Sequence, residues 1–298
     1  MSHKSGFVNI IGRPNVGKST LMNTLVGQRM SIITSKPQTT RHRIIGIVSG
    51  DDYQIVFSDT PGMIKDPSYK MHHAMNRFAH SSFEDADIMI FMIDPYENYE
   101  LDDPIIEKLK AVEVPLFLVI NKTDLVEPAR ILALIQKWSA IANFAEIFPI
   151  SALKEDNTPE LVKYITKHLP EGPVYYPKDQ LTDKNERFFI SEIIREKILL
   201  LYRQEIPYSC EVVIESFKET PKKKNFVSIS ATIYASRKTQ KSIIIGKDGV
   251  KIKQLGIEAR KDIEAFLQKR SYLELHVKVK ENWRDNDSEL KHFGYNNN

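Results

Sequence analysis

The first part of the chain alternates short apolar runs with segments of helical periodicity. The apolar runs have the length and composition of strands: FVNIIG, IIGIVSG, YQIVFS, IMIFMID, PLFLVINK and FAEIFPIS. Helical stretches such as PIIEKLKAV and ELVKYITKHL lie between several of them. This alternation predicts an α/β domain, with a mostly parallel six-stranded sheet covered by helices on both faces. The neighbouring runs IIGIVSG and YQIVFS predict one antiparallel hairpin at an edge.

A segment with three prolines and a glycine, LPEGPVYYPKD, ends this pattern. After it, ERFFISEIIREKILLLYRQE has helical periodicity, and SCEVVIESF and FVSISATIYAS predict a hairpin whose loop is PKKKN. The chain continues with SIIIG, GKDG, a helical pattern and the strand-like run YLELHVKVK. We therefore predict a nucleotide-binding domain, a linker, an α+β domain and a flexible tail, over residues 1–170, 171–179, 180–285 and 286–298.

Charge is divided unevenly between the two parts of the chain. Residues 1–177 carry 18 basic and 21 acidic side chains, whereas residues 178–298 carry 24 and 18. The second part is thus the one suited to a polyanion, although a solvated basic surface would have the same composition. The lone cysteine excludes an intramolecular disulfide and favours a reducing cytoplasm. Neither a signal peptide nor a membrane-spanning apolar run is expected.

GRPNVGKS, at residues 12–19, matches the phosphate-loop pattern G-x-x-x-x-G-K-[ST] between a strand and a helix. The two glycines let backbone N–H groups approach phosphate oxygens, and the helix N-terminus favours the anion. Lys18 would reach the β- and γ-phosphates, and the Ser19 hydroxyl would ligate Mg²⁺. We assign nucleotide binding to Gly12, Arg13, Pro14, Asn15, Val16, Gly17, Lys18, Ser19 and Thr20.

The tetrapeptide DTPG ends the strand YQIVFS about forty residues after the phosphate loop. Asp59 can hold Mg²⁺ through water, and Gly62 gives a backbone that can approach the γ-phosphate. A glutamine often follows such a motif to orient water, but Met63 stands here, so slow intrinsic hydrolysis is expected. We assign nucleotide binding to this motif as well, at Asp59, Thr60, Pro61 and Gly62.

The segment SKPQTTRHR, at residues 35–43, lies between the phosphate loop and DTPG. A threonine in such a segment can ligate Mg²⁺ when the γ-phosphate is present, which orders the segment. Thr39 and Thr40 are both candidates, and spacing alone leaves the choice nearly even. We choose Thr40, so that the expected magnesium ligands are Ser19, Thr40 and, through water, Asp59.

NKTD ends the strand PLFLVI and indicates which base the site accepts. The Asp124 carboxylate can accept two hydrogen bonds from guanine, whereas adenine would leave it desolvated and unpaired. Asn121 would brace the loops and the stem of Lys122 would cover the ring. The tripeptide ISA would close the pocket with backbone N–H groups. The base-site residues are Asn121, Lys122, Thr123, Asp124, Ser151 and Ala152.

GKDG, at residues 246–249, lacks the phosphate-loop ending but fits a G-x-x-G turn. Six basic residues and one acidic residue lie between Arg237 and Lys253. A tight turn is the usual meaning of such a tetrapeptide, but the order α-β-β-α-α-β around it is that of a KH domain, which clamps single-stranded nucleic acid. Trp283 either covers the end of this core or stacks on a base. Single-stranded RNA is the favoured ligand, and neither charge nor the loop excludes DNA. The expected RNA-binding residues are Ile244, Gly246, Lys247, Asp248, Gly249, Lys251, Ile252 and Lys253.

The combination of GRPNVGKST, KPQTTRHRI, DTPG, NKTD and ISA with IIIGKDGVKIK resembles the Era family over nearly the whole chain. These are bacterial Ras-like GTPases of the TrmE-Era-EngA-YihA-Septin-like superfamily with a C-terminal type II KH domain. The resemblance implies GTP hydrolysis coupled to maturation of the small (30S) ribosomal subunit, and binding near the 3′ end of its rRNA. It also implies a cytoplasmic protein, expected to be a monomer, that associates peripherally with the inner face of the membrane.

The resemblance has a further implication for catalysis, because members of this group carry a hydrophobic residue where other GTPases have the glutamine. Relatives use a bound K⁺ held partly by an asparagine of the phosphate loop, and Asn15 occupies that position. Stabilisation of transition-state charge by K⁺ is thus a hypothesis here. The expected catalytic residues are Lys18, Thr40, Gly62 and Asn15.

Two functions remain open at this point. In the first, the protein is a switch: GTP orders segments 30–43 and 60–75, and the RNA-binding domain responds to this ordering. In the second, the protein is an RNA chaperone or anchor in which nucleotide is mainly structural. NKTD disfavours a metabolic kinase, and the GKDG domain without lipidation signals disfavours a membrane-trafficking GTPase.

Overall fold

The computed structural model describes residues 3–64, 66–100, 102–219 and 225–295. These residues form two compact units. The first contains residues 1–31, 40–65 and 75–183, and the second contains residues 32–39, 66–74 and 184–298. The second unit therefore includes two short segments from the N-terminal half of the chain.

The sheet of the first unit has the strand order β2-β3-β1-β4-β5-β6. All neighbours are parallel except β2 and β3, which form the expected antiparallel hairpin. The strands are β1 (Lys4–Ile11), β2 (Ile44–Ser49), β3 (Tyr53–Asp59), β4 (Ile88–Ile93), β5 (Leu116–Ile120) and β6 (Glu146–Pro149). The predicted mostly parallel sheet is thus confirmed.

The central strands are apolar along their whole length because both faces of the sheet are covered. Every residue of β4, IMIFMI, and of β5, LFLVI, is buried, which is the pattern of parallel strands between helices. At the start of α3, Asp103 caps the helix by accepting from the Ile105 backbone N–H, and Pro104 takes the first position. The helices are α1 (Lys18–Val26), α2 (Lys70–Ser81), α3 (Pro104–Lys110), α4 (Pro128–Ser139) and α5 (Thr158–His168).

The segment expected to be a linker, residues 171–179, belongs to the first unit. The buried Gln54 side chain donates to the Tyr176 carbonyl oxygen at 2.8 Å and accepts from the backbone N–H groups of Tyr175 and Tyr176. Ser5 Oγ donates to the Pro173 carbonyl oxygen at 2.7 Å. The boundary between the units therefore falls after Asp183, and the predicted position of the linker is wrong.

The second unit contains the predicted α-β-β-α-α-β order. Strand β8 pairs antiparallel with β7 and parallel with β9. Helices and strands share one apolar core, to which Ile194, Ile233 and Ile263 contribute fully buried side chains. The lysines of PKKKN, expected at the hairpin tip, lie outside the described residues. The elements are α6 (Glu186–Leu201), β7 (Cys210–Glu219), β8 (Phe226–Ala235), α7 (Lys238–Ile245), α8 (Val250–Leu267) and β9 (Arg270–Val279).

The C-terminal segment that was expected to be flexible is folded onto this core as far as Tyr295. It forms helix α9 (Asp287–His292), and the side chains of Leu290, Phe293 and Tyr295 are buried. Trp283 is fully buried, and its indole N–H donates to the Ser209 carbonyl oxygen at 3.1 Å. Of its two possible roles, Trp283 therefore has the structural one. The polar composition of the tail concealed these apolar anchors.

No helix among the described residues is long and apolar enough to cross a membrane.

Candidate nucleotide and nucleic-acid sites

The phosphate loop lies between β1 and α1, at the carboxyl end of the central strand. Gly12 and Gly17 have φ angles of +153° and +105°, in a region that side chains rarely occupy. A Cβ on Gly12 would lie 2.3 Å from the Met92 carbonyl oxygen, and one on Gly17 would lie 2.2 Å from Asn121 Nδ2. Both glycines are thus required by backbone conformation and by their neighbours, and they shape the loop.

Lys18 is held against this loop by backbone carbonyl oxygens. Its Nζ donates to the carbonyl oxygens of Gly12 and Arg13 at 2.9 and 2.8 Å. Burial lowers the pKa of Lys18 to about 8, although the nearby carboxylates of Asp59 and Glu97 oppose this shift. A bound triphosphate would favour the charged form, so that Lys18 is prepared to pair with phosphate oxygens.

The Arg13 side chain points away from the phosphate-binding backbone. Its guanidinium pairs with Asp103 at 2.6 Å and stacks on the ring of Tyr99, with 3.9 Å between Cζ and the ring centroid. Arg13 therefore contributes to the loop through its carbonyl oxygen, and its side chain fastens the loop to the segment after β4.

Three oxygen-bearing side chains converge at the start of α1. Ser19 Oγ donates to Asp59 Oδ2 at 2.7 Å and lies 3.0 Å from Thr40 Oγ1. Asp59 is fully buried, burial raises its pKa, and its Oδ1 has no hydrogen-bonding partner among the described residues. An unpartnered buried carboxylate oxygen beside two hydroxyls fits a hard divalent cation. Ser19, Thr40 and Asp59 would hold Mg²⁺ there, directly or through water, and the ion would supply positive charge against the phosphates.

The structure separates the two threonine candidates. Thr39 Oγ1 bonds within its own turn, to Thr34 Oγ1 at 2.7 Å and to the Lys36 carbonyl oxygen at 2.6 Å. Thr40 Oγ1 instead lies beside Ser19. The position of Thr40 supports the choice that spacing alone left nearly even.

The base-site motif is braced directly to the phosphate loop. Asn121 Nδ2 donates to the Val16 carbonyl oxygen at 2.8 Å, and Asn121 Oδ1 accepts from the Ala152 N–H at 2.9 Å. Ser151 Oγ donates to Asp124 Oδ1 at 2.6 Å. The Asp124 carboxylate is thereby oriented by ISA, so the structure brings together the two motifs that were predicted to bind the base.

Two acidic residues in this region were not singled out from the sequence. Asp94 pairs with Lys122 Nζ at 2.8 Å, while the same lysine donates to the Asn15 carbonyl oxygen at 2.7 Å. Glu97 accepts from the Asp94 N–H at 3.3 Å, and burial raises its pKa to about 7. Their position immediately after β4, at the carboxyl end of a parallel strand, was the available signal.

DTPG continues from β3 toward the phosphate loop. A Cβ on Gly62 would lie 2.7 Å from Pro14 Cγ, so only glycine allows this close approach. Thr60 Oγ1 donates to the Ile10 carbonyl oxygen at 3.3 Å, which anchors the motif. Met63 packs against the apolar cluster that includes Met89. Its thioether is thus used in packing and offers nothing that could orient a water molecule.

GKDG forms the turn between α7 and α8 in the second unit. Gly246 and Gly249 have φ angles of +72° and +75°, and Asp248 also has a positive φ, of 51°. A Cβ on Gly249 would meet nothing within 4 Å, so the conformation alone favours glycine there and the space above it is open. Lys247 and Lys251 are exposed at this turn, as a backbone-clamping loop requires.

A groove of about 350 Å³ lies between α8 and β9, beyond this turn. Ile252 and Lys253, both among the predicted RNA-binding residues, line it. Ile244 does not, because its side chain is fully buried in the core; its predicted role in supporting bases is wrong. Sequence reasoning missed the groove residues further along α8 and on β9, which are Gly256, Ile257, Arg260, Tyr272, Leu273, Glu274 and Leu275.

Comparison with known protein families finds matches in both parts of the chain. A model described as a 50S ribosome-binding GTPase matches residues 7–122, and a KH domain model matches residues 205–284. GTPase Era of Clostridium kluyveri is 48% identical over 293 residues, which cover 98% of this chain and 99% of that protein. The chloroplastic GTPase ERA-like protein of Oryza sativa subsp. japonica is 46% identical over 297 residues, covering 99% of this chain and 70% of that protein.

Two solved structures match this chain with the same TM-score, sequence identity and coverage. A variant of Aquifex aeolicus Era bound to GDP and AlF4⁻ has a TM-score of 0.92 and 41% identity, covering 98% of this chain and 99% of that chain. Era in complex with MgGDPNP and nucleotides 1506–1542 of 16S ribosomal RNA also has a TM-score of 0.92, with the same identity and coverage. The chain described here therefore belongs to the Era family and is a GTP-hydrolysing enzyme with a KH domain.

Proposed function

We propose that this GTPase binds the 3′ region of small-subunit ribosomal RNA through its KH domain and acts in assembly and maturation of the 30S subunit. The observation that carries the proposal is the exposed, lysine-bearing GKDG turn beside a groove, in the same chain as a GTPase domain. The structurally similar Era complex with nucleotides 1506–1542 of 16S ribosomal RNA indicates the RNA region.

The proposed RNA site has two parts with different chemistry. The turn presents exposed backbone and the ammonium groups of Lys247 and Lys251 to phosphates. The groove presents apolar surface from Ile252 and Ile257, together with the exposed ring of Tyr272, to unstacked bases. The cationic part predicts an affinity that falls as salt concentration rises. The apolar part predicts that some binding persists at high salt.

In the proposed reaction, the protein acts by positioning and by electrostatic stabilisation. Lys18 would pair with the β- and γ-phosphate oxygens, and Ser19, Thr40 and, through water, Asp59 would hold Mg²⁺. The backbone of Gly62 would lie near the γ-phosphate. Since Met63 cannot orient water, catalysis depends on charge stabilisation, and intrinsic turnover is slow.

We further propose that K⁺ contributes to this stabilisation together with Asn15. Asn15 lies exposed on the phosphate loop with a φ angle of 67°, and Lys122 holds its carbonyl oxygen. The amide oxygen of asparagine is a suitable ligand for a monovalent cation. Hydrolysis measured in KCl and in NaCl tests this proposal, with faster hydrolysis expected in KCl and equal rates contradicting it.

Resemblance to the Era family is the basis of a proposal on location. We propose a cytoplasmic monomer that associates peripherally with the inner face of the cell membrane. Sedimentation of the purified chain alone tests whether it is a monomer. Sedimentation with vesicles tests whether it associates with a membrane.

The RNA proposal is tested by measuring the affinity of a short single-stranded RNA from the 3′ end of the small-subunit rRNA. The protein is compared with GTP analogue, with GDP and without nucleotide. The test variant is Lys247→Glu, Lys251→Glu, and a matched control, Lys137→Glu, Lys154→Glu, makes the same charge change at exposed lysines of the first unit.

We expect tighter RNA binding with GTP analogue, and loss of binding in the test variant but not in the control. Binding that ignores nucleotide would favour the chaperone or anchor function. Absence of RNA binding in every nucleotide state would contradict the proposal for the GKDG domain. Equal weakening in both variants would show a non-specific charge effect.

A further inference from the structure

The chain crosses between the two units at the residue expected to contact Mg²⁺. Residues 32–39 pack in the second unit, whereas Thr40 lies in the first. Whatever holds residues 32–39 therefore acts on Thr40 through a single peptide bond. The contacts of this segment with the KH domain consequently bear on the nucleotide site.

Lys36 caps the carboxyl end of helix α6. Its Nζ donates to the carbonyl oxygen of Leu199 and, at 2.6 Å, to that of Tyr202. The last carbonyls of a helix lack partners within the helix and carry the negative end of its dipole. Helix α6 has no basic residue in its own last turn. Lys36, which lies 163 and 166 positions from these two partners, supplies the missing cation.

A second contact lies directly beside Thr40. Arg195, on α6, forms a buried ion pair with Glu192, and its Nη2 also donates to the Thr39 carbonyl oxygen. Its Nη1 and the Oε1 atom of Gln38 are both buried without hydrogen-bonding partners among the described residues. Gln38 also has a positive φ angle, of 56°. Buried unsatisfied polar groups and a positive φ angle are features that cluster at functional and switch sites.

Tyr202 continues the connection toward the RNA-binding turn. Its backbone carbonyl accepts from Lys36, and its side-chain hydroxyl donates to the Ile244 carbonyl oxygen at 2.8 Å. Ile244 lies in the last turn of α7, two residues before Gly246. Burial raises the pKa of Tyr202 to about 12, so the hydroxyl remains a donor at neutral pH. One residue thus joins the segment before Thr40 to the helix that carries GKDG.

We infer that Lys36 and Tyr202 are positioning residues, through which RNA bound at the GKDG turn and GTP bound at Thr40 stabilise each other. The inference rests on the proposed function, since it requires that the KH domain bind RNA and that Thr40 contact the GTP-bound metal. When the Lys36–Tyr202–Ile244 chain of contacts is intact, ordering of Thr40 by the γ-phosphate holds α6 and α7 in the arrangement that binds RNA. By linkage, RNA binding raises the affinity for GTP by the same factor.

The test measures RNA affinity by fluorescence anisotropy with Mg²⁺ and either GTP analogue or GDP. Two mild variants break the contacts: Lys36→Met keeps the aliphatic stem, and Tyr202→Phe keeps the ring. Each has a matched control in the same unit. Lys70→Met removes an exposed lysine paired with Asp287, and Tyr234→Phe removes a hydroxyl bonded to Glu215.

The wild-type protein is expected to bind RNA roughly tenfold more tightly with GTP analogue than with GDP, a usual size for coupling between sites. Lys36→Met and Tyr202→Phe should bring this ratio toward one and leave the affinity measured with GDP unchanged. The two controls should keep the ratio, and Lys36→Arg should retain part of it. A purely structural role would instead weaken RNA binding in both nucleotide states.

The outcomes separate the inference from the function on which it rests. If the wild-type ratio persists in both test variants, the inference is overturned and the RNA-binding function stands. If the wild-type protein binds RNA equally with both nucleotides, the coupling is absent and the inference is again overturned. If the wild-type protein binds no RNA, the proposed function fails and the inference fails with it.

Discussion

Replacing Arg195 by methionine would remove one half of an ion pair inside the second unit. Arg195 donates through Nε and Nη2 to the two carboxylate oxygens of Glu192, at 2.7 and 2.6 Å. The arginine and glutamate side chains are 1% and 8% exposed. A buried carboxylate that loses its partner keeps its desolvation cost, so we expect Arg195→Met to lower the free energy of unfolding by about 3–5 kcal/mol.

The double variant Glu192→Leu, Arg195→Met isolates the cost of the unpaired charge. Replacing a whole buried ion pair by apolar residues of similar volume is often neutral or stabilising. The double variant then loses mainly the hydrogen bond from Arg195 to the Thr39 carbonyl oxygen, which contributes about 1 kcal/mol. We therefore expect the double variant to be more stable than Arg195→Met alone.

The assay is urea unfolding followed by tryptophan fluorescence. The chain has two tryptophans, Trp138 in the first unit and Trp283 in the second. In a Trp138→Phe background, the buried Trp283 reports on unfolding of the second unit alone, which avoids treating a two-unit protein as a single transition. A loss below about 1 kcal/mol in Arg195→Met, or a double variant no more stable than the single one, would refute the reasoning.

Three further predictions concern the nucleotide site and the C-terminal segment. Since burial lowers the pKa of Lys18 to about 8, GTP affinity should fall as pH rises from about 7 to 9 and the ammonium group loses its proton. Binding near pH 8 should take up protons, which calorimetry in buffers of different ionisation enthalpy detects; pH-independent binding would contradict this. Asp124→Asn should weaken GTP binding by roughly 100-fold or more and favour xanthosine triphosphate, whose carbonyl replaces the guanine amine. Competition binding measures the affinities for both nucleotides, and unchanged selectivity would oppose the assignment of Asp124 to guanine recognition. Tyr295→Phe removes a hydrogen bond to buried Glu211 and should cost about 1–2 kcal/mol in the Trp283 assay, whereas no loss would mean that the segment is not held there.

The nucleotide site could be predicted from the sequence because each motif is local and follows a strand. The carboxyl ends of parallel strands meet at one edge of a sheet, so DTPG, NKTD and the phosphate loop had to come together. The G-x-x-G turn was recognisable for a similar reason, since Gly246 and Gly249 lie within one short segment that needs positive φ angles.

Contacts between distant residues could not be predicted in this way. Gln54 is an ordinary polar residue in its strand, and only the fold shows that it holds the backbone at Tyr175 and Tyr176. Ile244 was misassigned because an apolar residue beside a loop has the same appearance in the sequence whether it faces the groove or the core. Tyr295 was missed because three apolar side chains in a polar tail create no recognisable period.

The placement of Asn121 against Gly17 fixes a distance within the nucleotide site. Asn121 occupies the space in which a Gly17 side chain would lie, and it is bonded to Val16 on the same loop. The spacing between the surface that accepts the base and the loop that accepts the phosphates is therefore rigid. A guanosine analogue lengthened by one atom between ribose and phosphate carries both recognised groups but cannot place both at once, so it would be rejected, because the site selects the length of its ligand as well as its chemistry.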